Sequence, residues 1–304
     1  MPSKSGPKDG TAQFHETCQP PGAFRQISEI AKEATAIKDL YAKHSVRLRP
    51  QSGLAQLISA AHEIADDLGS GRGKSRWSAV LLVVQLLRLA KPEVVSILAE
   101  SANSAEILGR LTQGSLDAFD KERSPAKDAL WELEFCAWLR ATGLEARLAR
   151  PDGSLAIKGR RVGIECKRLY SEAGTEKVLS KARKQIRESS DLGIIALDLE
   201  DLYPAVPPAL VGVSQQYITQ MLRQRNAAFY AKHARHISKT IADPRTLFVV
   251  YSAGGIFRAM DAPVPLPYPD RRWEIRAGLA LDPDAMPVLT ETYERIMRKS
   301  PSDI

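Results

Sequence analysis

The segment Arg161-Val162-Gly163-Ile164-Glu165-Cys166-Lys167-Arg168 alternates in polarity with a period of two, which predicts a β-strand. Val162, Ile164 and Cys166 fall on one face and Gly163, Glu165 and Lys167 on the other, so Glu165 and Lys167 point the same way. A carboxylate two residues from an ammonium, on a strand that otherwise reads as sheet interior, is costly unless the groups pair or hold a metal and a substrate. The plainer reading of an isolated Glu-x-Lys is an edge strand with a solvated face. Upstream, Pro151-Asp152-Gly153 lies between two strand-like segments, where Asp152 can converge with Glu165 on a divalent cation. Hard cations such as Mg²⁺ take oxygen ligands, commonly one or two carboxylates, and keep waters for a phosphate and a nucleophile. Asp-Gly between strands is also a hairpin-turn signal, and the turn and ligand roles are compatible.

A helix over Ala129–Leu139 precedes these strands and carries Glu132 and Glu134. Glu132 has Phe135, Cys136 and Leu139 three, four and seven residues on; Glu134 is followed by Ala137, Trp138 and Ala141. Either can point inward. The elements that must position these residues read, from about 126 onward, as helix (126 to 142), strands (Glu145 to Arg150, Leu155 to Lys158, Arg161 to Arg168), helix (Thr175 to Glu188) and strand (Gly193 to Leu199). A long helix, Ser214 to Ile241, then an apolar strand, Thr246 to Tyr251, ended by Ala253-Gly254-Gly255, a strand at Trp273 to Leu281 and a helix at Met286 to Arg298 complete the pattern.

Ahead of them, residues 1–22 read as a flexible arm and residues 23–120 as an all-helical domain, with helices at 24–44, 54–68, 77–89, 92–100 and 104–113. Lys121 to Pro125 reads as a linker to a second domain over 126–304.

The order of these elements and residues resembles the PD-(D/E)xK nuclease superfamily, the restriction-endonuclease-like fold. The resemblance rests on Pro151-Asp152, then Glu165-Cys166-Lys167 after 12 intervening residues, preceded by a glutamate-bearing helix ending in Gly143. It spans about residues 126 to 199. The spacing from the helix glutamate to Gly143 is most similar to that of archaeal Holliday-junction resolvases, and this selects Glu132 over Glu134. In one respect the chain departs from the pattern: no apolar residue directly follows Asp152.

The resemblance implies an α/β (α+β) core of order α-β-β-β-α-β behind an all-α N-terminal domain. It also implies a metal-dependent nuclease, with DNA the expected substrate in a prokaryotic defence, repair or mobile-element setting. Asp152, Glu165 and the backbone carbonyl of Cys166 would hold one or two Mg²⁺ or Mn²⁺ ions. Lys167 would orient or deprotonate the attacking water, Glu132 would bind a second metal or its water shell, and Gln185 would face the site from the next helix. The Cys166 side chain faces the other way and reads as core rather than nucleophile. The rival reading is an inactive module of the same fold that binds nucleic acid or a protein partner.

Charge agrees with a polyanionic partner. The chain carries 43 Lys and Arg against 36 Asp and Glu, a net charge of +7, and residues 121–190 hold 16 cations and 10 acids. Arg168, Lys181, Arg183, Lys184 and Arg187 are candidate phosphate contacts, and a solvated helix face is the alternative for the last four. Three widely spaced cysteines among 304 residues argue against a disulfide framework or a structural zinc site. The longest apolar stretch, Ala79 to Ala90, is too short to span a bilayer, and the N-terminus has no apolar signal region. A cytoplasmic protein without a membrane partner is expected, and the helical domain is a candidate homodimer surface. The stretch Gly69 to Ser75 imitates a phosphate-binding loop, but it lacks the first glycine and follows a helix. His233 and His236 lack a third ligand at coordinating spacing and read as part of a basic helix.

Overall fold

The computed structural model of the protein describes residues 23–69, 84–203, 214–257 and 268–298. Among them are nine α-helices: α1 (Ala23–Lys43), α2 (Gly53–Gly69), α3 (Leu86–Leu89), α4 (Pro92–Glu100), α5 (Ser104–Leu111), α6 (Pro125–Ala141), α7 (Thr175–Ser189), α8 (Gln215–Ile241) and α9 (Met286–Arg298). One open sheet contains β1 (Arg147–Leu148), β2 (Gly153–Ile157), β3 (Arg160–Arg168), β4 (Leu192–Asp198), β5 (Thr246–Phe257) and β6 (Tyr268–Ala277), paired in chain order. β1, β2 and β3 form an antiparallel meander, β3, β4 and β5 run parallel, and β6 returns antiparallel to β5. Parallel neighbours need crossovers, which α7 and α8 supply.

Strand alternation sets the layers. In β4, Leu192, Ile194 and Ala196 pack with α6 on one face of the sheet, whereas Ile195 and Leu197 pack with α7 and α8 on the other. The first core continues without a break from Ile30 of α1 to Ile296 of α9, so the helical region and the sheet region share it. The segment read as a linker is pinned into this joint. Ser124 Oγ donates to Ser115 O at 2.7 Å, Lys121 Nζ donates to Tyr203 O at 2.7 Å, and the Lys127 ammonium donates to the Asp120 carbonyl.

Helix α6 lies at the centre of the molecule, with the sheet on one side and α3, α4 and α5 on the other. Thirteen of its 17 residues are buried, so it has no solvent face, and amphipathic periodicity could not choose between Glu132 and Glu134.

Several element boundaries differ from expectation, among them the strand expected at Trp273 to Leu281, which is found at Tyr268–Ala277. Of the Asp152-Gly153 turn expected between the first two strands only Asp152 lies in the β1–β2 connection, and the β2–β3 hairpin turns at Lys158 and Gly159, both at positive φ (49° and 74°). Gly153 instead begins β2 under close packing: a Cβ there would lie 2.9 Å from Cys136 Sγ. β5 does not stop at Ala253-Gly254-Gly255, because β6 pairs along its whole length, from Phe248↔Ala277 to Phe257↔Tyr268. Pro269 sits within β6, on the outermost strand, where a missing N–H is tolerated. The first strand shrinks to two residues.

The N-terminal arm, residues 77–83 of the expected third helix, Cys18 and nearly all of the Gly69 to Ser75 stretch lie outside the described residues. Among the described residues no helix is long and apolar enough to cross a membrane.

Candidate active site

Asp152 immediately precedes β2, and its backbone N–H donates to Ile164 O of β3 at 3.2 Å. β2 ends its pairing at Gly153↔Ile164, so beyond Ile164 the β3 edge is open. There the Asp152 carboxylate takes the ladder's place: its Oδ2 accepts the Cys166 N–H at 2.8 Å. In an extended strand the carbonyl of a residue points to the same side as its N–H, so the Cys166 carbonyl is aimed toward Asp152. The Cys166 thiol packs in the core on the α6 face, and burial pushes its pKa up, as expected for a packing residue.

Glu165 and Lys167 share the opposite face of β3. Glu165 is fully buried (0% exposed), the Lys167 ammonium lies against its Oε1, and its Oε2 has no hydrogen-bond partner. Lys167 Nζ is also 3.4 Å from Asp152 Oδ2, so one ammonium bridges the two carboxylates. Desolvation foremost, then the charge of Asp152, pushes the Glu165 pKa up to about 7. Desolvation also works against the Lys167 ammonium, but Asp152 and Glu165 outweigh it and hold Lys167 above an ordinary lysine.

Glu132 reaches the same region from α6. Arg110 of α5 grips it in a bidentate fork, Nη1 to Oε2 and Nη2 to Oε1, both at 2.7 Å. Both oxygens of Glu132 are therefore already engaged. Its pKa still rises to about 7, first through desolvation and then through Asp152, against the opposing pull of Arg110 and Lys167. Three carboxylates (132, 152, 165) and two cations (110, 167) thus interact across one locality.

The donor set suits a hard divalent cation. The buried Glu165 carboxylate has the Lys167 ammonium on Oε1 and no partner on Oε2, Asp152 faces it across that ammonium, and a backbone carbonyl lies beside them. Among the described residues no three His, Cys, Asp or Glu side chains are grouped to hold a metal by themselves. An ion bound here would be held by two carboxylates, a carbonyl and water, as Mg²⁺ commonly is.

The α7 residues divide. Lys181 is exposed and acts electrostatically on Glu165, and Gln185, one turn further along the same stripe, is half-buried with its Oε1 unpartnered. Arg183 and Arg187 turn toward α8 and the loop after it: Arg183 Nη1 is 3.5 Å from Lys239 O, and Arg187 Nη2 is 2.5 Å from Asp243 Oδ2. Lys184 is exposed and 3.8 Å from Glu188.

Arg168 is not a surface phosphate contact. The expectation overlooked that it falls on the α6 face of β3, where it is 8% exposed, 2.6 Å from Asp198, and paired with Asp201 and Glu200. It belongs to a second charged centre. Arg88 of α3 forks onto Glu134 (2.7 and 2.5 Å) and reaches Glu200 at 3.0 Å, while Arg271 of β6 reaches Asp198 at 2.6 Å and Glu200 at 2.9 Å. Arg271 also lies 4.7 Å over the Trp131 ring, which stacks with Trp273. Sequence reasoning missed this network. Its signals were an arginine inside the apolar run Leu86-Leu87-Arg88-Leu89 and the acidic ending Asp198-Leu199-Glu200-Asp201 of an apolar strand.

His233 packs on Phe229 at 4.7 Å between ring centres, and burial lowers its pKa.

No family model matches the chain, and no curated protein or solved structure is significantly similar to it.

Proposed function

We propose that the protein is a metal-dependent nuclease of the restriction-endonuclease-like type, acting on DNA. The observation that carries this reading is the fully buried Glu165 carboxylate, with one oxygen left unpartnered and the other joined to Asp152 through the Lys167 ammonium. Burying an acid in that state is costly, and such cost is characteristic of sites kept for chemistry. The order α6, then the β1-β2-β3 meander, then the α7 crossover to β4, is the α-β-β-β-α-β order the resemblance implies.

Asp152, Glu165 and the Cys166 carbonyl would hold Mg²⁺ or Mn²⁺, which when bound polarises a phosphoryl oxygen and lowers the pKa of a bound water. Lys167, kept protonated by its two carboxylates, orients that water and offsets charge developing on the phosphate; the raised pKa makes it a poor base. Lys181, whose charge reaches Glu165, and Gln185 one turn further along α7 would meet the flanking backbone.

The test is incubation of plasmid, linear, single-stranded and branched DNA, and RNA, with the protein and Mg²⁺ or Mn²⁺. Cleavage by wild type, abolished by EDTA, by Lys167→Ala and by Glu165→Ala, is the expected result. Equal binding of nucleic acid by all three proteins with no cleavage would instead make the chain a binding module.

A further inference from the structure

Arg110 is the one described cation that the helical region contributes to the acidic locality. Its guanidinium carries five N–H donors, and the fork to Glu132 uses one on each terminal nitrogen. Three donors remain, on a side chain that is 27% exposed while Glu132 beneath it is 5% exposed. Glu132 lies one helical turn before Cys136, whose Sγ packs against Gly153 next to Asp152, so the guanidinium that Glu132 holds stands on the Asp152 side of α6, where the charge of Asp152 acts on it. A planar fork with one edge fixed by a buried carboxylate and donors left toward solvent is the arrangement that binds a phosphate oxygen with little further loss of side-chain freedom.

We propose that Arg110 binds a non-bridging oxygen of the phosphodiester at the Asp152–Glu165 site, and that Glu132 is the positioning residue that holds it there. This rests on the nuclease reading. It gives the helical region a direct part in the reaction: without α5 the site lacks its phosphate-binding arm. It also accounts for Glu132 spending both oxygens on an arginine, where a direct metal ligand would keep one aimed at the cation.

The experiment compares full-length wild type, Arg110→Ala, Arg110→Lys and Glu132→Gln by cleavage kinetics and by calorimetric titration with Mn²⁺ alone. A charged hydrogen bond to substrate is worth roughly ten- to a hundredfold, so kcat/KM should fall by about that factor in Arg110→Ala and by less in Glu132→Gln, with Mn²⁺ affinity unchanged in both. Lysine keeps the charge but not the fork, so Arg110→Lys should fall about tenfold; it decides the matter if Arg110→Ala does not fold. Substituting a neutral methylphosphonate at the bond that wild type cleaves should weaken binding, measured by fluorescence anisotropy in Ca²⁺, about tenfold more for wild type than for Arg110→Ala. A merely structural Arg110 would show no such difference. Cleavage by Arg110→Ala within twofold of wild type overturns the proposal, and so does a loss of Mn²⁺ affinity in both Arg110→Ala and Glu132→Gln, which would make Glu132 a metal ligand. If wild type cuts nothing, the nuclease reading itself falls and this inference with it.

Discussion

Glu132 and Glu134 stand two residues apart on one buried helix, yet their surroundings drive them in opposite directions. Burial penalises the charge of both. Glu134 meets Arg88 and Arg271, and its pKa drops to about 2; Glu132 meets Arg110 but also shares its locality with Asp152, and its pKa rises to about 7. The Glu134 centre sets Arg88, Arg168, Arg271, Lys121 and Lys127 against Glu134, Asp198, Glu200 and Asp201, five cations for four acids. At the Glu132 centre two cations face three acids. A network whose acids are fully countered binds the fold together, whereas an acid surplus leaves room for one more positive charge.

The largest effect that can break this contrast is on stability. Arg168→Ala leaves Asp198 and Asp201 buried without their main counter-ion and should cost about 3–5 kcal/mol in urea unfolding; a cost under about 1 kcal/mol would show that the network is not what holds the joint. Glu165→Gln removes a buried charge whose desolvation Lys167 only partly offsets, so unfolding at pH 8 should find it within about 1 kcal/mol of wild type or more stable, although cleavage is lost.

The pH dependence sharpens the same comparison. Folded Glu132 and Glu165 hold protons up to about pH 7 that the unfolded chain releases near its ordinary glutamate pKa of about 4.3. Their contribution to stability therefore falls as pH rises from about 5 to about 7. Glu134 has the opposite sign: its contribution is present above about pH 4.3 and is lost as pH falls toward 2. Denaturant titrations across this range should show the neutral-pH decline flattened in Glu132→Gln/Glu165→Gln with the acid limb unchanged. An unflattened decline would contradict the raised pKa values.

The smallest expected effect concerns α7. Lys181→Ala should weaken DNA binding and reduce the slope of log K against log salt by about one, while Arg187→Ala, anchored to Asp243, should change it less. Equal losses would mean that the helix presents one undivided basic face.

Much of this was legible in the sequence because period-two alternation placed Glu165 and Lys167 together and apolar spacing located α4, α7, α8 and α9 closely. The choice between Glu132 and Glu134 was not, since α6 is buried all round and carries no polar face. Arg168 was misplaced because a cation following Glu-x-Lys looks exposed in one dimension, whereas alternation alone puts it with Cys166, facing α6. Arg110 gave no local signal. Its role comes from a partner 22 residues away, and long-range pairing of that kind leaves no pattern in a single chain.

The most direct test of the central claim is the binding of Mn²⁺, followed by calorimetry or electron paramagnetic resonance, to wild type, Asp152→Asn, Glu165→Gln and Glu134→Gln, with folding checked in each. The account predicts binding by wild type, at least a tenfold loss in Asp152→Asn and Glu165→Gln, and none in a folded Glu134→Gln. Absence of binding by wild type, or equal binding by all four proteins, would contradict it.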